Sequence, residues 1–361
     1  MLARREFLTG LTGAAGGMLA VDATMADQAG RGTSMVVDFH NHVIPRSVVE
    51  GFRSDPDGFG AKVEDRDGST WLAHREGFAY PLEAEFLDPV EKVRALDRRG
   101  LDVAVVSPSP TLFFYRADAA RNAAFVRGLN EDVADFVRAA PDRLRGMGTL
   151  PMQSPEASVA ELDHLVTNLG IRAVIVGTHV DGVQLASARL RPVLRRAAEL
   201  DVFVLSHPYY FGSKPGLEDY YLTNLIGNPL DTAVMAANLM FGGVFDELPS
   251  LKIGLSHGGG FLPYQIGRLA HGWSVRKEAR TIATSPKILL RKFYYDTITH
   301  DPDALAFLIA SVGADRVLLG TDTPFDMADE TPLEKISAIV GLPDASRRLI
   351  TGQNALRMIR G

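Results

Sequence analysis

The sequence predicts an α/β chain wound as a (β/α)₈ TIM barrel with a small inserted subdomain after the first strand. Three observations predict it. Short runs rich in β-branched residues alternate with longer runs of helical periodicity from Met35 onward, which calls for a parallel sheet flanked by helices. Eight such runs are present, the number that closes a barrel. The side chains best suited to chemistry stand where four of the runs end, and barrel enzymes carry their catalytic residues at the carboxyl ends of strands.

Taken in order, the expected strands cover residues 36–39, 103–107, 145–149, 173–176, 202–206, 253–256, 293–296 and 317–320. Most are short apolar stretches bounded by Gly, Pro, Asp or Ser, as strands are. Helical periodicity occupies 89–99, 119–139, 155–168, 188–199, 232–247, 262–278 and 303–311. Asp97-Arg98-Arg99-Gly100 reads as a solvated helix end with a glycine cap. The Met and Phe residues of 235–245 fall at helical spacing and read as core or dimer interface. Two segments break the rhythm. Residues 45–87 are rich in Gly and charge, carry Trp71, Phe78 and Tyr80, and are expected to form a small hairpin subdomain over the site. Residues 209–230 form a second long loop with Tyr209, Tyr210, Phe211, Tyr220 and Tyr221. Long loops on the active face of a barrel often shape its pocket.

With 361 residues, 46% of them hydrophobic, the chain can bury a large core. A net charge of -6 without a long basic run argues against nucleic acid as the main partner. No cysteine is present, so disulfides, thiolate ligands and a Cys nucleophile are excluded. Residues 1–34 stand apart from the barrel at 35–361. Arg4-Arg5 precedes Phe7-Leu8 and a Gly-rich apolar run, Thr24-Met25-Ala26 offers a cleavage site, and 27–34 is a polar linker. This resembles a twin-arginine export signal, which implies a periplasmic or exported protein. The alternative is an N-terminal extension of a cytoplasmic protein. The apolar run is too short to span a bilayer, so no stable membrane insertion is expected.

His40 and His42 sit one residue apart at the end of the first run. Alternate residues of a strand share a side, so both imidazoles aim at one point, and neutral imidazole is the commonest metal ligand. His207 follows the fifth run, His257 the sixth and Asp322 the eighth. Four strand ends that offer histidines and a carboxylate read as a metal site. A catalytic ion needs several protein ligands and an open position, and the donors here suit zinc or manganese better than Cu(I) or an iron–sulfur cluster. Asp38, ahead of the pair, is expected to act structurally or behind the ligands. Gly258-Gly259-Gly260 allows close approach of backbone and substrate. His179 follows the fourth run and is read as pocket-lining or structural, while His74, His164 and His271 are read as surface or core residues.

His40-Asn41-His42, Ser206-His207-Pro208, His257-Gly258-Gly259-Gly260 and Gly320-Thr321-Asp322-Thr323-Pro324-Phe325 resemble the amidohydrolase superfamily. More narrowly, the chain resembles the branch that contains aminocarboxymuconate-semialdehyde decarboxylase. Gly227-Asn228-Pro229, Gly242-Gly243-Val244-Phe245, His271-Gly272-Trp273 and His300-Asp301-Pro302 match that branch as well. The resemblance implies a distorted barrel and one divalent metal, usually zinc, held by His40, His42, His207 and Asp322. It implies that His257 does not ligate but hydrogen-bonds the metal-bound water as acid and base, with Asp322 sharing the proton transfer. It also implies a homodimer in which Arg276 binds a substrate carboxylate in the neighbouring subunit's site. The branch's other substrate arginine has no counterpart, because Phe78-Ala79-Tyr80-Pro81 lacks one. Arg75 or Tyr80 is the candidate to replace it. The reaction so implied is decarboxylation, through a metal-activated water, of a small carboxylated aromatic or ring-cleavage (muconate-type) acid. The second reading is metal-dependent hydrolysis of a lactone, amide or carbon–carbon bond in the same site. The third is an exported metal- or ligand-binding protein without catalysis, against which the intact set with His257 argues.

Overall fold

The computed structural model describes residues 35–209 and 215–359. Residues 1–34, expected to be an export signal and linker, and Tyr210 and Phe211 of the second loop lie outside the described residues.

The first barrel strand, Val37–Val43, is buried along its whole length. It pairs in parallel with Val103–Pro108, which pairs with Leu144–Gly146. The third strand is cut at Met147, whose N–H reaches Val106 O at 2.9 Å, and resumes as Gly148–Thr149. From there the parallel ladder runs on through Ala173–Gly177, Phe203–His207, Lys252–Leu255, Phe293–Asp296 and Val317–Leu318. Residues 319–323 close the ring onto the first strand. Phe39 N–H donates to Leu319 O at 2.8 Å and His42 N–H to Thr323 O at 2.8 Å. All eight expected strands form, and the cuts at Met147 and after Leu318 are what distort the barrel. The fourth and fifth strands are buried at every residue, as parallel strands covered on both faces are.

Outside the strands, local chemistry sets most helix starts. Pro89–Arg99 begins where the Asp88 side chain accepts from Val90 N–H, and it stops at Gly100, whose φ is 70°. Pro302–Val312 begins at Asp301, which accepts from the N–H groups of Asp303 and Ala304. The expected helix over 232–247 is two helices, Asn228–Phe241 and Val244–Glu247, because Gly243 takes φ +66° between them. Met235, Leu239 and Met240 on the longer one are core residues. The helix from Leu262 ends at Val275, which leaves Arg276 extended. Pro332–Ala338, Asp344–Arg348 and Asn354–Ile359 form C-terminal helices that the apolar periodicity does not reveal.

The insertion is richer than the expected hairpin. A helix, Arg46–Ser54, leads into a three-stranded antiparallel sheet of Ala61–Arg66, Ser69–His74 and Ala79–Pro81. Its apolar core, built on Val48, Phe52, Leu72, Leu82 and Phe86, is completed by Leu112, Phe114 and Leu129 from outside the insertion.

Candidate active site

His40 and His42 leave the same face of the first strand, which bulges between Asp38 and Asn41. Their Nε2 atoms lie 3.2 Å apart. Each outward nitrogen has its own acceptor. His40 Nδ1 lies 2.6 Å from Asp296 Oδ2. His42 Nδ1 lies 3.1 Å from Ser107 Oγ, whose proton goes to Asn41 O at 2.8 Å. His207 Nδ1 lies 3.0 Å from Pro208 O. A carboxylate, a carbonyl and a hydroxyl already donating elsewhere can only accept, so all three imidazoles carry their proton on Nδ1. Their Nε2 lone pairs all face inward.

Asp322, from the eighth strand end, meets them there. Its Oδ1 lies 2.8 Å from His42 Nε2, 3.4 Å from His40 Nε2 and 3.8 Å from His207 Nε2. Four lone-pair donors thus converge with no proton among them, and the buried Nε2 of His207 has no hydrogen-bond partner. Such a cluster could hold a cation, and these residues fit one. Burial pushes the His42 imidazole down to about 3 and that of His207 down to about 4. Burial acts the same way on His40, but the Asp296 bond and the Asp322 charge outweigh it and move its pKa up. Burial would raise Asp322, yet the imidazoles of His207, His257 and His42 beside its carboxylate hold it well below the usual carboxylate range.

His257 approaches from the other side. Its Nε2 lies 3.4 Å from Asp322 Oδ2, the oxygen that faces away from the three inner imidazoles. Its side chain is 18% exposed, against 1% for His40. Ligand atoms of His40, His207, His257 and Asp322 all lie within 4.8 Å of one another, so distance alone leaves His257 within reach of an ion. Asp322 and His257 both hold left-handed backbone, with φ of 62° and 55°. Asp322 is fixed there by its N–H bond to His40 O at 2.8 Å. Gly320 has to be glycine, because a Cβ would stand 2.8 Å from His40 Cβ and 3.1 Å from Asp296 Cβ.

A cavity of about 1730 Å³ opens above the cluster, and His207, His257 and Asp322 contribute to its floor. Phe325 forms an aromatic wall, 5.4 Å from the His42 ring, 5.3 Å from Tyr80 and 5.1 Å from Phe86. Trp71, Phe78 and Tyr80 of the insertion line the cavity. Tyr80 OH is engaged with Thr111 Oγ1 at 2.6 Å, while Arg75 lies beside Gly60 and is not among the cavity-lining residues. Arg276 is not brought to the cavity either; it is exposed and paired with Glu278 at 3.1 Å. His179 also stays out of the lining and accepts from Gly182 N–H at 3.1 Å.

The amidohydrolase family model matches residues 37–361. The chain belongs to the amidohydrolase family. Among similar proteins, 2-amino-3-carboxymuconate-6-semialdehyde decarboxylase of Dictyostelium discoideum is 31% identical over 331 residues, 90% of this chain and 92% of that one. The apo crystal structure of Metarhizium anisopliae IDCase shares the fold, with a TM-score of 0.79, 24% identity and coverage of 90% of this chain and 97% of that one. A dihydroxybenzoic acid decarboxylase from Polaromonas has a TM-score of 0.71 and 26% identity, covering 91% of this amidohydrolase and 97% of that chain. Its crystal structure holds manganese and the inhibitor 2-nitroresorcinol.

Two residues of this amidohydrolase site come into view only in three dimensions. Asp296 is 3% exposed and bonded to His40. It ends the seventh strand just as Asp322 follows the eighth, and that position was its signal in the sequence. Phe325 was visible only as part of the Gly320–Phe325 motif. Asp38 lies behind the ligands, accepting from Thr321 Oγ1 at 2.7 Å, and burial pushes its carboxyl up to about 6.

Proposed function

We propose that this amidohydrolase is a metal-dependent carboxy-lyase that removes CO₂ from a carboxylated aromatic or ring-cleavage (muconate-type) acid. The observation that carries this reading is the set of four donor atoms that converge beneath an aromatic-walled cavity. His40, His42, His207 and Asp322 would hold one divalent ion. An N₃O donor set suits zinc, with manganese, the ion of the Polaromonas decarboxylase, as its rival. Bound there, the ion would supply Lewis acidity and lower the pKa of a water toward ~7.

The chain's own residues account for the remainder. Phe325 and Tyr80 offer faces against which a planar ring can pack. Loss of CO₂ breaks the bond from a ring carbon to the carboxylate and leaves the electron pair on that carbon. A proton has to arrive at the same carbon, and we assign its delivery to His257 Nε2. Asp322 Oδ2, 3.4 Å away, stabilises the protonated imidazole before transfer. Among the described residues, the guanidinium groups lining the cavity are Arg98 and Arg99, and both are tied to carboxylates. Arg98 lies 3.2 Å from Glu85, and Arg99 lies 2.8 Å from Glu85 and 2.7 Å from Glu330. A carboxylate clamp is therefore assigned to Arg276 from a second copy in a homodimer.

The test is product analysis. Enzyme loaded with zinc or with manganese is offered a panel of hydroxybenzoates and muconate-type acids. Release of CO₂ with the matching decarboxylated product is expected. Two fragments without CO₂ would make the enzyme a hydrolase, and turnover of none of these acids by either metal form would remove the reading.

A further inference from the structure

We propose that Asp296 is a positioning residue that locks the ligand imidazole of His40 and the proton carrier His257 into one frame. The proposal rests on the reading of His40 as a ligand and His257 as acid and base. Asp296 sits at the end of the seventh barrel strand, 3% exposed, between the two. One of its oxygens serves both. Oδ2 accepts from His40 Nδ1–H at 2.6 Å and from the His257 backbone N–H at 2.8 Å. The other oxygen, Oδ1, accepts from Gly258 N–H at 2.8 Å and Ile298 N–H at 3.1 Å.

The two ends of this arrangement do different things. At His40, the carboxylate keeps the proton on Nδ1 and so leaves Nε2 free to bind an ion. At His257, it holds a turn whose residues stand at φ 55° and 61°, an unfavourable backbone for a histidine. The turn's own bonds, Gly259 N–H to Ser256 O at 3.1 Å and Gly260 N–H to His257 O at 3.0 Å, do not engage the N–H groups of His257 and Gly258, and it is these that Asp296 holds. A carboxylate that only filled a buried gap would not need two acceptor atoms matched to four donors. Burial of such a charge is tolerated only because each bond is made.

Asparagine is the informative replacement, because its amide has one acceptor and one donor end. With NH₂ in the Oδ2 position, the donor faces His40 Nδ1, and that ring has to move its proton to Nε2, the ion-facing nitrogen. With NH₂ in the Oδ1 position, it opposes the N–H groups of Gly258 and Ile298, and the turn that carries His257 is released. Asp296→Asn is therefore expected to bind zinc 10- to 100-fold more weakly, the usual cost of losing such an outer partner. Its kcat should fall while KM for the acid changes little.

Nitrogen-15 imidazole spectra of the metal-free protein give a readout that needs no turnover. Wild-type His40, assigned by its absence in His40→Asn, is expected to carry its proton on Nδ1. An Nε2 proton together with a bare Nδ1 on wild-type His40 overturns the proposal, and that measurement stands even where Asp296→Asn does not fold. Folded Asp296→Asn with both wild-type zinc affinity, as read by competition with a chromogenic chelator, and wild-type kcat overturns it too, because either orientation of the amide breaks one end of the frame. Wild-type protein that binds no zinc and turns over no acid would instead defeat the functional reading, while the His40 tautomer would still report on Asp296.

Discussion

Three imidazoles beneath the cavity have their outer protons fixed by a carboxylate, a hydroxyl and a carbonyl, which leaves three lone pairs around one oxygen of Asp322. Removing any member should unbalance the cluster. His40→Ala and Asp322→Ala are each expected to lose the bound ion and all turnover, as elemental analysis and a CO₂ assay would read. His257 faces the other oxygen of Asp322, on the cavity side. His257→Asn should accordingly keep the ion and lose rate by about 10²–10⁴-fold, the usual contribution of a general acid–base. Loss of stoichiometric metal in that variant would make His257 a ligand. The residues behind these predictions were legible in sequence because a strand end is a local feature and each bears a distinctive side chain. Asp296 was just as local, at the end of Tyr294-Tyr295-Asp296. Its meaning was not, because the imidazole it holds lies 256 residues away.

The elements divide along similar lines. Barrel strands that bury both faces show as continuous apolar runs, and most of the eight show so; the third, over 145–149, does not. Elements that depend on one backbone angle or on very few residues were not. The break at Gly242-Gly243 rests on a single left-handed glycine, and Ala79–Pro81 is too short to display a period of two. That short strand completes the inserted sheet and places Phe78 parallel to His74, ring centroids 4.3 Å apart. Burial pushes the His74 imidazole from its ordinary 6.5 down to about 3. His74 therefore stays neutral in the fold, whereas the unfolded chain takes up a proton near pH 6.5. Below that pH the unfolded state binds more protons, so His74's contribution to stability is complete above about 6.5 and is lost as pH falls toward 3. His74→Phe keeps the stacking without the titration and should flatten the fall in urea midpoint between pH 6.5 and 4. His42 and His207 are depressed by burial as well, so part of the slope should remain. A variant with the wild-type slope would show that His74 is not the group that senses acid.

At the scale of the whole molecule, the cavity of about 1730 Å³ is larger than a single ring acid requires. Tyr221, Leu225, Tyr264 and Phe307 line it and are exposed, Tyr264 at 79%. Large apolar side chains gathered at the rim of a site mark an interaction surface. The guanidinium groups lining the cavity are committed to Glu85 and Glu330, while Arg276 stands exposed at the end of the helix that begins at Leu262, paired with Glu278. A homodimer that lends Arg276 to its neighbour would cover that rim and supply the missing clamp. A guanidinium grips a carboxylate through two parallel hydrogen bonds, which an ammonium cannot reproduce. Arg276→Lys is therefore expected to raise KM for the acid while metal content and thermal unfolding stay as in the wild type. The decisive measurement is complementation. Arg276→Ala and His257→Asn should each be inactive alone, yet a mixed dimer would contain one site with both residues intact. Mixing the two proteins should then restore part of the activity, up to about a quarter of the wild-type level if subunits exchange at random and equal amounts are mixed. Wild-type enzyme that is fully active while sedimenting as a monomer would rule the shared site out, because no neighbour would then be present to supply the arginine.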